Sequence, residues 1–420
     1  DCSDTEFSIV DIKSYLPITG SFWLTDFKVD DGSLEGIIKN TLNEMQEANI
    51  DTLIITGLGT LRKINPDYVF LFGNNFVIKG KNLKNINKAI VVINHHGRIS
   101  IDSLPVVKEG EGEDQFGVIY IDLHLLKVVY RIPDPENITL QEVSVYNLQN
   151  QLDDPYSEKV LKHIFQFSKE NNLKVFIGLI SPSIEINHLI PEDRQQLIDS
   201  SLQVVSQIKE KIDQWSGGWG DTVKGFYITP EDPVHKFVDF PETIIFYEEI
   251  SNRLKNLYPD KQILLSPYIY EDTNYETAKR GFDKLFSTKV DIIALQDSIG
   301  SEKTKTRQKD EEHFKALRDS AVSNQKTAWA NIETFELINQ SGTNKQYEPA
   351  KIERVAWQIE TAYPYVSKII TWIFQHTFST TIPDEIPSWT HQYIKGSLEL
   401  RKKLFYDYKN FYRNPVIIGQ

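Results

Sequence analysis

The chain has 420 residues, 40% of them hydrophobic, 11% aromatic and 25% charged, enough for one large domain with an elaboration or for two ordinary domains. Its formal charge of −13 and pI of about 5.3 argue against a nucleic-acid or anionic-membrane surface, which needs a basic stripe. Cys2 is the only cysteine, so neither an internal disulfide nor a cysteine metal cage can form. No apolar run approaches the roughly 20 residues of a membrane span.

Strand-like and helix-like segments alternate along the chain. The run 18–26 reads as a first strand, and a helix is predicted from about residue 33, with Leu34, Ile37, Ile38, Leu42 and Met45 at helical spacing. A second strand is predicted over 51–57. Both strands are β-branched and unbroken, as expected when both faces are buried in a parallel sheet. Residues 61–150 break the rhythm: short strand-like runs at 68–72, 74–78, 89–93, 98–101, 116–122 and 125–130 are joined by Gly/Asn turns and an acidic loop at 109–114. The alternation resumes with a helix from Asp154 and a third strand at 173–180. A long helix follows from about Pro191. A fourth strand runs from Val223 to Glu231, and a helix over 241–257 opens with Pro241-Glu242. Strands at 262–268, 290–297, 327–333 and 367–375 complete the set, with helices around 275–286, 350–362 and 388–411.

Eight strands alternating with helices predict an α/β chain folded as a (β/α)8 TIM barrel. The barrel is assigned to residues 1–60 and 151–420, with 61–150 a β-rich insertion after strand 2 that lies over the C-terminal face. A doubly wound open sheet would want a glycine-rich phosphate loop after strand one. Gly57-Leu-Gly59, after strand two, is a poor candidate.

A barrel brings the C-terminal ends of its strands to one face, where active sites lie. Collecting those ends gives Trp23, Asp26, Thr56, Ser181, Tyr227, Glu231, Tyr268, Gln296, Asp297, Asn331, Glu333, Trp372, Gln375 and His376. Sugar sites use this mixture: flat aromatic rings stack on a pyranose face, while amides and carboxylates take its hydroxyls. Two carboxyls are what glycoside hydrolysis requires, one protonated to donate to the leaving oxygen and one ionised to attack or to activate water. The assignment is Glu231 as acid/base and Glu333 as nucleophile. Asp297 is the competitor for a catalytic place, its other reading being a carboxylate that caps the Ser298-Ile-Gly300 turn. Asp26 is assigned to a hydroxyl or to a turn.

The segments Phe22-Trp-Leu-Thr-Asp-Phe27, Tyr227-Ile-Thr-Pro-Glu231, Leu265-Ser-Pro-Tyr268, Leu295-Gln-Asp-Ser-Ile-Gly300 and Trp329-Ala-Asn-Ile-Glu333 resemble a family of uncharacterised exported proteins with TIM barrels of glycosyl-hydrolase type. The resemblance covers most of the chain outside 61–150. In layout it is similar to the clan of retaining (β/α)8 glycosidases, with an acid/base glutamate on strand four and a nucleophile on strand seven. The clan usually carries Asn before the acid/base glutamate, and here that position is Pro230.

Other signals are weaker. His95 and His96 are adjacent, so on a strand they point to opposite faces and make a poor metal pair. No metal and no cofactor is expected, and no nucleophile elbow, Walker loop or HExxH motif occurs. The expected partner is a carbohydrate substrate, with no nucleic acid. Export to the cell surface or medium is expected from the polar start, and Cys2 is a possible lipid anchor; the sequons at Asn137 and Asn339 add weak support. The alternative function is a carbohydrate-binding barrel without catalysis.

Overall fold

The computed structural model describes residues 17–24, 34–56, 60–61, 75–80, 87–95, 98–122, 142–147, 155–182, 186–215, 218–301, 305–341, 344–382 and 398–411. The chain divides into two compact units, one of residues 1–58 and 159–420, the other of 59–158.

The larger unit is a closed parallel barrel. Its strands are β1 (Ile18–Leu24), β2 (Thr52–Thr56), β3 (Lys174–Gly178), β4 (Val223–Ile228), β5 (Gln262–Leu265), β6 (Ile292–Gln296), β7 (Thr327–Glu333) and β8 (Lys368–Trp372). Each pairs in parallel with its sequence neighbour, and β8 closes on β1. The helices between and after them are α1 (Leu34–Glu47), α2 (Pro155–Glu170), α3 (Pro191–Trp215), α4 (Pro241–Leu257), α5 (Tyr275–Phe286), α6 (Arg307–Asn324), α7 (Ile352–Ala362) and α8 (Leu398–Phe411). This is the (β/α)8 barrel that the alternation predicts.

Local chemistry sets the boundaries. Pro241 occupies the first turn of α4, where its missing N–H costs nothing. Asn274 caps α5 by accepting the Thr277 N–H at 2.9 Å, and Thr306 caps α6 by accepting the Lys309 N–H at 3.3 Å. Helix α5 buries Ala278, Phe282 and Leu285, one face at i, i+4, i+7 spacing, as a helix covering a sheet requires.

Strand alternation decides which side chains fill the barrel. Phe22, Ile54, Phe176, Tyr227, Leu264, Ile292, Ala294, Trp329 and Ile370 pack together inside it. Phe22 meets Tyr227 at 5.1 Å and Trp372 at 4.9 Å between ring centroids, and Phe176 meets Trp329 at 5.8 Å. Each such ring stabilises the fold by about 1.5–3 kcal/mol through burial. Gly225 makes room for this filling: a Cβ there would stand 2.8 Å from the Phe176 ring and 2.0 Å from the Gln262 carbonyl oxygen.

Some strands stop earlier than predicted. β4 ends at Ile228, because Thr229 and Pro230 follow and proline has no N–H for the ladder. β8 ends at Trp372, and Phe374–Thr377 turn into a short helix whose first N–H, that of Phe374, goes to the Ser21 hydroxyl at 3.1 Å. Gln375 and His376 are therefore helical rather than at a strand end. An antiparallel hairpin, Phe335–Ser341 with Asn344–Pro349, follows β7 and was not foreseen; it contains Asn339. Of the last predicted helix, 388–397 lies outside the described residues.

The smaller unit holds two antiparallel three-stranded sheets. One orders Asn75–Gly80, Phe116–Asp122 and Val107–Glu109; the other orders Arg98–Pro105, Lys88–His95 and Glu142–Asn147. Within 109–114, residues Gly112–Asp114 form a 3-10 turn. The strands predicted at 68–72 and 125–130 lie outside the described residues.

Candidate active site

Glu231 and Glu333 both emerge at the C-terminal ends of their strands, β4 and β7. The Tyr227 hydroxyl donates to Glu231 Oε1 at 2.5 Å. Tyr227 faces the barrel interior, four residues before Glu231, so the strand itself aims this donor. Desolvation raises the Glu231 pKa, opposed by hydrogen bonds from Tyr227 and Gln296 to its ionised form. The residue nonetheless keeps solvent-exposed surface. Together these describe a carboxyl packed round by protein and open to water on one side.

Glu333 is more enclosed, at 6% exposure. Its Oε2 accepts the Ser301 N–H at 2.7 Å and its Oε1 faces the Ser301 hydroxyl at 3.3 Å. Burial, and then the charge of Asp297, push its pKa up to about 7. The turn after β6 reaches Glu333 only because Gly300 lacks a side chain. A Cβ there would stand 2.2 Å from the Phe335 carbonyl oxygen and 2.8 Å from Glu333 Cβ.

Asp297 is turned the other way, into the layer between the barrel and α7. Its Oδ1 accepts the N–H groups of Ile299 at 3.2 Å and Glu333 at 3.1 Å, and its Oδ2 accepts Gln358 Nε2 at 2.5 Å. It has no exposed surface. This is the geometry of its capping reading, and it also ties the Glu333 backbone in place. Gln358 Nε2 reaches the Glu333 carbonyl at 3.1 Å and Arg354 Nη2 does so at 3.2 Å. Behind Asp297, Lys305 pairs with Asp310 at 3.1 Å, both side chains with 0% exposure, and Lys305 Nζ also donates to the Asp297 carbonyl. Desolvation pushes the Asp310 pKa up to about 7. His313, whose Nε2 lies 2.8 Å from the Thr273 carbonyl, has its pKa pushed down to about 3 by burial, so its ring is neutral.

The remaining predicted residues divide. Tyr268, Gln296 and Trp372 are half-buried at the strand ends on the same face. Gln296 Nε2 donates to the Ser266 carbonyl at 2.7 Å. Asn331 lies inside the barrel and bonds the Ser266 hydroxyl at 3.0 Å, fully buried. Trp23 was expected to line the cleft. Since Phe22 points inward, alternation sends Trp23 to the outer face of β1, where it is fully buried. Gln375 and His376 are likewise buried, within the short helix. Asp26 and Cys2 lie outside the described residues.

The sequence did not single out Ser301, Arg354 or Gln358. A polar residue ending a Ser-Ile-Gly-Ser turn was a signal for Ser301; nothing local distinguished Arg354 or Gln358 on their helix. Among the described residues, no group of three or more His, Cys, Asp or Glu side chains could hold a metal ion, and no helix is long and apolar enough to cross a membrane. An open groove of about 490 Å³ between α3 and α4, bordered by Arg194, Asp199 and Glu249, shares no residue with this face of the barrel.

The sequence matches the family model described as "Domain of unknown function (DUF4434)" over residues 127–386, more than half of the chain. The chain belongs to that family. No curated protein matches it. Among solved structures it is similar to a protein provisionally named an alpha-L-fucosidase from Bacteroides thetaiotaomicron, with a TM-score of 0.54 and 14% identity over 97% of this chain and 99% of that one. It is also similar to the endo-beta-1,4-mannanase from Thermotoga petrophila, with a TM-score of 0.44 and 11% identity over 95% of this chain and 77% of that one. Identity at this level speaks to the fold alone, and barrels carry many chemistries.

Proposed function

We propose that this protein is a glycoside hydrolase that cleaves an oligosaccharide or polysaccharide, with Glu231 as acid/base and Glu333 as nucleophile. The observation that carries the reading is the pair itself: two glutamates at the C-terminal ends of β4 and β7, each with a pKa raised by burial. In this reading Glu231 gives its proton to the glycosidic oxygen as Glu333 attacks the anomeric carbon, and the leaving sugar departs with that proton. Glu231 then takes a proton from water, which displaces Glu333 and releases the sugar. Turnover needs Glu333 ionised and Glu231 protonated at the same pH, so the pH–rate profile is expected to be bell-shaped, with one limb near 7 set by Glu333.

The test screens chromogenic glycosides and polysaccharides with the wild-type protein, then with Glu333→Ala and Glu231→Ala. Loss of Glu333 is expected to abolish turnover, and loss of Glu231 to spare substrates whose leaving group needs no proton. Wild-type turnover in both variants overturns the assignment. A second reading, a carbohydrate-binding barrel without catalysis, is favoured by one observation: Glu333 is 6% exposed and both its oxygens face Ser301. That reading expects polysaccharide binding without turnover, unaffected by Glu333→Gln.

A further inference from the structure

We propose that Tyr270, braced by Tyr268 and His235, forms a stacking platform for the sugar on the leaving-group side of the scissile bond, so that the substrate is a glycoside whose leaving group is itself a pyranose. This rests on the glycosidase reading above and extends it to the side of the site that the two glutamates do not define.

The three rings come from the loops that leave β4 and β5. Tyr270 is 41% exposed, among the few large apolar side chains in this unit that face solvent. It is nevertheless held on two sides. The Tyr268 ring meets it edge-on at 5.4 Å and 82°, and the two hydroxyls lie 3.3 Å apart. The His235 ring is tilted against it at 5.2 Å and 33°. The Thr273 N–H donates to the Tyr270 carbonyl at 3.0 Å, which pins the backbone of the turn. An exposed ring that is already immobilised loses little rotamer freedom when a ligand covers it, which is what a sugar platform requires. A lone surface tyrosine would have none of these braces.

Its position gives it a side. The loop carrying Glu231 is tied to the Tyr268 segment: Pro233 bridges to Tyr268 in parallel, and the Val234 N–H donates to the Tyr268 carbonyl at 3.0 Å. His235 itself stands four residues beyond Glu231. The platform is thus built on the acid/base loop, while Glu333 is bordered by the Ser301 turn and the hairpin of Phe335–Pro349. The acid must reach the oxygen that the leaving group keeps, so a platform sharing its loop serves the leaving group.

The experiment compares two substrates of one sugar: its glycosyl fluoride, whose leaving group is too small to stack and needs no proton, and its trisaccharide. The sugar is the one on which the wild-type protein is active in the screen. In Tyr270→Ala the ratio of kcat/KM for trisaccharide over fluoride is expected to fall about tenfold, the loss of one stacking contact. Tyr270→Phe should restore most of it, and Tyr406→Ala, an exposed tyrosine of α8, should keep the wild-type ratio. An unchanged ratio in Tyr270→Ala overturns the platform while leaving the glycosidase reading intact. If the wild-type protein turns over neither substrate, the glycosidase reading fails separately. Electrophoretic retardation by immobilised polysaccharides then decides the platform alone: retardation lost in Tyr270→Ala supports it as a sugar surface, and retardation absent or unaltered overturns it.

Discussion

Replacing Glu333 by Gln should stabilise the protein by a margin that grows between about pH 4.5 and about pH 7 and is constant above that. Glu333 holds its proton to about 7, against an ordinary value of 4.5. Its folded pKa lies above its unfolded one, so the native state binds this proton more tightly than the unfolded chain does. The resulting stability is complete below about 4.5 and disappears as pH climbs to about 7. At about 1.4 kcal/mol per pKa unit, the burden of the ionised form is about 3 kcal/mol at pH 8.5. The side chain is 6% exposed, so solvent screening reduces this little. Gln is neutral at every pH, and its amide can keep the Ser301 partners, its oxygen accepting the N–H and its NH2 donating to the hydroxyl. With unfolding entropy of roughly 2.1 cal/mol/K per residue, about 0.9 kcal/mol/K for this chain, the shift corresponds to about 3–4 °C. Thermal melts of both proteins at pH 5 and pH 8.5 read it directly: the variant should gain that margin over wild type between the two pH values. A gap that stays constant with pH, or closes in favour of wild type, refutes the account of Glu333 as a buried carboxyl under the charge of Asp297.

Two further outcomes follow from the same network. Lys305→Met leaves the Asp297 and Asp310 carboxylates without their buried cation and should cost about 3–5 kcal/mol in urea unfolding; adding Asp310→Asn should recover much of this, and a double variant no better than the single one would show that the loss is only of packing. Tyr227→Phe removes the hydroxyl that favours ionised Glu231, so the Glu231 pKa moves up. One of the two limbs of the pH–rate profile should move up with it while the limb near 7 stays, and a profile in which neither limb moves up would place the titrating group elsewhere.

The barrel was legible in the sequence because its causes are local. Apolar β-branched runs such as Thr52–Thr56, alternating with helical faces such as that of Tyr275–Phe286, record burial on both sides of a parallel strand and on one side of a helix. The glutamates could be singled out because a charge at the end of an apolar run stands out against its neighbours. Facing was harder: Trp23 and Phe22 are adjacent aromatics, and only the packing of Phe22 against Tyr227 and Trp372 decides which enters the barrel. The same holds for Asp297, whose direction is set by N–H groups of Ile299 and Glu333 and by Gln358, a residue 61 positions away. Protonation is the most distant of these properties. The residue types mark where a carboxyl stands, but its pKa depends on desolvation and neighbouring charges from several strands and helices, and these exist only once the chain has closed.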